Sequence, residues 1–135
     1  MNMLQRLHHR TRATVAGVWV AALLAGCGGG VYLDFGDFDD LAPVVELAAA
    51  TQSAFAGDSV HLVAAAADEN GIDHVSFFRY DGNTAVRLGF DSSSPYDWQL
   101  LVPADGRTSV TVFARAVDNA GNSNDSNLVT ISITP

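Results

Sequence analysis

Ser109-Val110-Thr111-Val112-Phe113-Ala114-Arg115-Ala116-Val117 places Val110, Val112, Ala114 and Ala116 at every second position and then runs into Asp118-Asn119-Ala120-Gly121-Asn122. Successive side chains of a strand point to opposite faces, so a period of two followed by turn formers predicts a half-buried strand closed by a loop. The same rhythm continues in both directions. Beyond the loop at 118–127, Val129, Ile131 and Ile133 predict a last strand. Upstream, Val102 to Arg107 reads as a turn, and Tyr96, Trp98 and Leu100 alternate before it. Further back, Thr84 to Phe90 carries Val86, Leu88 and Phe90 on one face, joined through the tight turn Asp81-Gly82-Asn83 to a strand from Ile72 to Tyr80 with Val75 and Phe77 inward. Asp68-Glu69-Asn70-Gly71 is another turn, since Asn-Gly accepts positive φ. Before it, Ser59 to Ala67 places Val60, Leu62, Ala64 and Ala66 on one face, and Val44 to Ala48 is the first strand.

Seven strands broken at intervals of about ten residues predict an all-β, antiparallel sandwich. The alanine runs at 48–50 and 64–67 have helical propensity, but no stripe of helical period surrounds them. Trp98 is the expected central core residue, because an indole on an alternating strand would fill the space between two sheets.

The chain before residue 28 has a different character. Met1 to Arg12 holds Arg6, Arg10 and Arg12 and no acid, and Ala13 to Ala25 is uncharged. That is the layout of an export signal, and the apolar run is shorter than the ~20 residues of a spanning helix. Leu23-Leu24-Ala25-Gly26 then precedes Cys27, the only cysteine of the 135 residues. One cysteine in an exported chain forms no internal disulfide, so its placement needs another explanation. The stretch resembles the lipobox of bacterial lipoproteins. The resemblance implies a signal peptide over 1–26, a diacylglyceryl thioether on Cys27, and an acylated new amino terminus that holds the protein on a membrane. Gly28 and Gly29 follow where some lipoproteins carry an inner-membrane aspartate, which favours the outer membrane in a two-membrane bacterium.

From residue 27 to 41 the chain reads as a tether, glycine-rich and then acidic, with Tyr32, Phe35 and Phe38 among the acids. A mobile stalk and a short recognition motif are both open readings of those aromatics. The first strand begins about 15 residues after Cys27, which at ~3.5 Å each keeps the domain within roughly 50 Å of its membrane.

All 15 acids lie after Cys27, with only four of the seven Arg and no Lys, so the mature portion carries −11. That balance argues against nucleic acid and anionic headgroups as partners, since both require a basic patch.

Within the domain the pieces Pro43-Val44-Val45, Gly57-x-Ser59-Val60, Ala66-x-Asp68 with Gly71-Ile72, Val75-x-Phe77, Leu88-Gly89-x-Asp91, Ser94-Pro95-Tyr96 and Ala114-Arg115-Ala116-x-Asp118-Asn119-Ala120-Gly121-Asn122 occur in that order. Over Ala42 to Pro135 they resemble the bacterial Ig-like domains that serve as accessory modules of secreted glycoside hydrolases and surface proteins. The resemblance implies an Ig or fibronectin-III-like sandwich that spaces or binds and does not catalyse. The two resemblances together lead us to expect one such domain behind a lipid anchor, with no second domain for it to space.

Two constellations could carry chemistry. Strand ends alternate between poles, which gathers Asp39, Asp40, Asp68, Glu69, Asp73, Asp91, Asp118 and Asp125 at one end. A calcium ion would relieve their repulsion, with Asp68, Asn70, Asp73, Asp118, Asn119 and Asn122 as ligands. The competing account is that Asp, Asn and Gly are what turns prefer. The tether enters at that pole, which turns it toward the membrane. The second constellation is the outer face of the central strands, with His74, Ser76, Phe78 and Tyr80 on one, Arg87 on its hairpin partner, and Phe113 and Arg115 on the other. Aromatics and Arg suit a protein or glycan ligand there, and Phe78, Tyr80, Phe113 and Arg115 are its candidate residues. A Phe78–Phe113 cross-strand pair under Arg115 is the purely structural alternative. His61 and His74 match neither a catalytic motif nor a zinc spacing, so no enzyme is expected.

Overall fold

A computed structural model of the chain describes residues 41–135, so the leader, Cys27 and the tether with Asp39 and Asp40 lie outside the described residues. The described residues form nine strands and no helix: β1 (Val44–Ala49), β2 (Ser53–Phe55), β3 (Ser59–Ala67), β4 (Ile72–Asp81), β5 (Thr84–Asp91), β6 (Tyr96–Leu101), β7 (Ser109–Asp118), β8 (Ser123–Asp125) and β9 (Val129–Thr134). One sheet runs β1-β3-β6; the other runs β2-β9-β7-β4-β5, with β8 on the flank of β7.

All seven expected strands are present, and the two additional ones change the expected topology. β2 lies parallel to β9, so the sandwich is not wholly antiparallel, and β8 pairs with β7 through Arg115↔Asp125 to Val117↔Ser123. Both are three residues long, and β8 is polar and exposed throughout. Segments this short offer no alternation for a sequence reading to detect.

The core follows from the period of two. Val60, Leu62 and Ala64 of β3 face Val75 and Phe77 of β4 and Val110, Val112, Ala114 and Ala116 of β7, closed by Leu100, Val102 and Ile131. Phe77, fully buried, is the largest enclosed side chain. Trp98 is displaced from the expected centre: it is only partly buried and packs against the cluster from its margin, stacked on Phe77 with centroids 6.3 Å apart. Gly89 makes room for it, since a Cβ there would sit 2.2 Å from the indole Cη2.

A second departure lies in β5. Phe77 pairs with Gly89 but Phe78 pairs with Arg87, so Leu88 is an extra residue on the β5 side. Such a bulge inverts the alternation beyond it. Phe90, expected inward with Val86 and Leu88, turns outward instead and is 56% exposed.

The free edge of β1 is closed by a side chain. Asn127 accepts from Leu47 N at 2.9 Å and donates to Leu47 O at 3.0 Å, as a neighbouring peptide would. Asn124 Nδ2 donates to Pro43 O at 3.0 Å on the same edge. Asn127→Ala removes both partners of Leu47 and is expected to cost about 1–3 kcal/mol, read as a lower urea midpoint. Asn127→Asp, which keeps the acceptor for Leu47 N but sets a carboxylate oxygen against Leu47 O, should cost at least as much.

Candidate functional site

The outer face of β4, β5 and β7 collects aromatic rings and guanidinium groups. Phe78 and Phe113 are direct cross-strand neighbours, and their rings stack at 4.9 Å with a 7° tilt. Tyr80, two residues along β4 and hence on the same face, meets Phe113 at 5.3 Å. Arg115, paired with Ser76, holds its guanidinium carbon 5.5 Å from the Phe78 centroid. It is also tied to Asp125 of β8, with Nε and Nη2 donating to Oδ1 and Oδ2 at 2.6 and 2.8 Å. That carboxylate raises the Arg115 pKa, so the side chain stays a cation held against a ring.

The four residues expected on this face therefore come together, at different depths. Phe78 and Tyr80 are half-buried and Arg115 is exposed, but Phe113 is only 3% exposed and supports the other rings without offering a surface of its own. The pairing expected as the structural alternative is thus also present. Ser76 is buried at the centre of the face.

Sequence reasoning missed Phe90. The bulge places it beside Ser76 on the outer face, where Arg87 lies over its ring at 5.0 Å and His74 meets it edge-on at 5.7 Å. The available signal was Gly89, because a glycine inside a strand often marks a bulge or a close approach. Together these residues make a band from His74 and Phe90 through Arg87 and Phe78 to Arg115 and Tyr80.

At the acidic pole the loops are drawn together by hydrogen bonds. Asn119 N donates to Gly71 O at 3.1 Å, and Asn119 Nδ2 donates to Asn70 O at 2.7 Å. Gly71 allows that approach with φ of +83° and no Cβ, which would lie 2.9 Å from Asn119 Nδ2. Asp68 Oδ1 accepts from Asn70 N at 2.9 Å, and Asp73 Oδ2 meets His74 Nδ1 at 2.7 Å. Asp118, 2% exposed, organises the loop after β7: its Oδ1 accepts from Ala120 N and Asn122 N, each at 2.8 Å. Burial pushes this carboxyl up, but donors from Asn122, Ala120 and Gly121 outweigh it and keep its pKa below the ordinary value. Its Oδ2 is enclosed without a hydrogen-bond partner. Among the described residues, no three His, Cys, Asp or Glu side chains gather in a metal-binding group.

At the other pole Arg107 bridges Asp81 and Asp105, donating to Asp81 Oδ1 at 2.8 Å and through Nε to both oxygens of Asp105. Hydrogen bonds from Arg107 hold the Asp105 carboxyl down to about 2. This cluster is internally satisfied and leaves no free charge for a ligand.

One likeness to a solved structure agrees with the architecture. A fibronectin(III)-like module of CbhA from Clostridium thermocellum is 22% identical, with a TM-score of 0.54 over 67% of this chain and 94% of that one. The SrpA adhesin of Streptococcus sanguinis is 17% identical over 69% of this chain and 57% of that one, with a TM-score of 0.45. A search of curated proteins found no match. At this identity the likeness extends to the fold alone. The bacterial Ig domain family matches residues 43–123, from the entry into β1 to the start of β8, and the chain belongs to that family.

Proposed function

We propose that this protein is a cell-envelope lipoprotein, held through Cys27, whose single Ig-like domain binds a protein or glycan without catalysis. The observation that carries the binding role is the contiguous band of His74, Phe90, Arg87, Phe78, Arg115 and Tyr80 on one sheet face. Rings and guanidinium groups on a rigid sheet give a partner large contact area at little entropic cost, and such residues dominate interface energetics. Membership of the bacterial Ig domain family supports a surface or extracellular setting. The lipobox-like stretch before Cys27 supports lipid anchoring, and the outer membrane is its expected site in a two-membrane bacterium.

The test is capture from envelope extract by the native protein and by an Arg115→Gln, Tyr80→Ser variant, both confirmed folded by circular dichroism. Capture should fall at least about tenfold, the loss of one well-packed anchor. Undiminished capture would dismiss this face. Mass spectrometry of the native protein tests the anchor: an unacylated chain beginning anywhere other than Cys27 would refute it.

A second reading assigns calcium to the loops around Asp118, and the enclosed, unpartnered Oδ2 is what favours it. Asp118 would be the anchoring ligand; among the described residues Asp68 and Asp73 are not gathered around it, so binding with them and with oxygens of Asn70, Asn119 and Asn122 would require the 68–73 turn to close further on the 118–122 loop. Calcium at millimolar concentration should then raise the melting midpoint and a chelator lower it; an unchanged midpoint removes the reading.

A further inference from the structure

The outer band ends at β5, the last strand of its sheet. Among the described residues, the eight residues of β5 pair only with β4, and no other backbone–backbone bond reaches them; β6 touches the strand through Trp98 at Gly89 and through Asp97 N, which donates to the Asp91 carboxylate at 3.1 Å. One edge of this strand therefore presents unpaired N–H and C=O groups. The other sheet edges differ. β1 is capped at Leu47 by Asn127 and just before its start by Asn124, β2 has three residues, and β6 has no arginine and carries Asp97, which meets His61 Nε2 at 2.9 Å.

The charge on β5 also stands apart. The described residues contain eleven acids and four arginines. Arg79 pairs with Asp81, Arg107 with Asp81 and Asp105, and Arg115 with Asp125. Arg87 has no carboxylate partner among the described residues; its contact is the face of Phe90. An exposed guanidinium without a counter-charge, in an otherwise acidic domain, is a recognition point for a single carboxylate.

We propose that the free edge of β5 takes an extended acidic peptide segment of a partner protein as an added strand, with one of its carboxylates on Arg87 and an apolar side chain against Phe90. The unpaired backbone selects a peptide over a glycan, because strand addition satisfies main-chain groups that a sugar leaves open. Arg87, the one arginine without a carboxylate partner among the described residues, selects an acid, while the surrounding carboxylates disfavour more than one or two negative charges on the ligand. This inference rests on the reading of the β4–β5–β7 face as a binding surface and names the partner's chemistry.

The probe is a rhodamine-labelled ten-residue peptide alternating Thr with Val and Phe and carrying one central Asp, titrated into the full-length protein beside its Asn-for-Asp counterpart and an oligouronate. The Asp peptide should bind at least about tenfold more tightly than the Asn peptide, and Arg87→Gln should abolish that preference while circular dichroism stays unchanged. Amide exchange over residues 84–90 should slow when the Asp peptide is bound. Equal binding to Arg87→Gln overturns the proposal. So does binding of the oligouronate in place of the peptide, or binding without slower exchange in β5; either would leave Arg87 as a charge that guards an edge against aggregation. If Arg115→Gln, Tyr80→Ser loses envelope capture while β5 exchange never slows, the binding face stands and strand addition fails. If exchange slows while that variant captures undiminished, strand addition stands and the wider binding face fails.

Discussion

Phe77→Ala should lower the stability of the domain by about 3–5 kcal/mol, a large part of a total stability of order 5–15 kcal/mol. Phe77 is fully buried at the middle of β4, between the β7 valines and alanines on its own sheet and Leu62 and Leu100 across the sandwich. Its ring also supports Trp98 from the inner side. Truncation removes both the transfer contribution of the ring and the dispersion contacts of its neighbours, which strands of a rigid sheet cannot move in to restore. Phe77→Leu, which keeps most of the volume, should cost much less. Urea unfolding checks both: the midpoint should drop for each with an unchanged slope, and a Phe77→Ala loss below ~1 kcal/mol would place the core elsewhere.

Gly89→Val is expected to be nearly as damaging, for the opposite reason. Even the Cβ would lie 2.2, 2.6 and 2.6 Å from three carbons of the Trp98 six-membered ring. The indole cannot retreat inward, because Phe77 lies against it, so β5 or β6 must shift. Overpacking of this kind costs about 1–3 kcal/mol or more. The cost should be specific to the indole, which a double-mutant cycle reveals: Gly89→Ala should destabilise markedly in the native background and little in a Trp98→Ala background. Additive losses would mean that Gly89 is needed for some reason other than the ring.

These two positions also show where the sequence was legible. A period of two over Ser109 to Val117 and Ser59 to Ala67 located β7 and β3 and their inward faces, because burial of one sheet face leaves that mark directly in the residue order. The role of Trp98 was not legible, because it depends on which residue lies opposite, and Gly89 is opposite only after Leu88 has bulged. The same bulge moved Phe90 to the outer face, so the candidate site was read with Phe78, Tyr80, Phe113 and Arg115 and without one of its most exposed rings. β8 was hidden in Ser123-Asn124-Asp125, a segment that looks like a loop and is held by its partner strand, and it supplies the carboxylate that fixes Arg115. Asn127 was read as loop for the same reason: nothing in its neighbours announces that its amide will complete the edge of β1.

The turn chemistry carried further. Asn70-Gly71 adopts the expected positive φ at Gly71, and Asp118 ties its own loop through Ala120 and Asn122. What composition left open was whether the carboxylates of that pole share a ligand or each serve a turn. The hydrogen bonds of Asp68, Asp73 and Asp118 account for one or more oxygens of each within their own segments.

We propose the β4–β5–β7 face as the surface by which this bacterial Ig domain meets a partner. Hydroxyl-radical footprinting of the full-length protein, free and bound to material captured from envelope extract, tests it most directly. Oxidation of Tyr80, Phe78 and Phe90 should fall on binding, with Val63 and Leu101 on the opposite sheet unchanged. Protection of Val63 and Leu101 with Tyr80 and Phe90 still fully oxidised would contradict it.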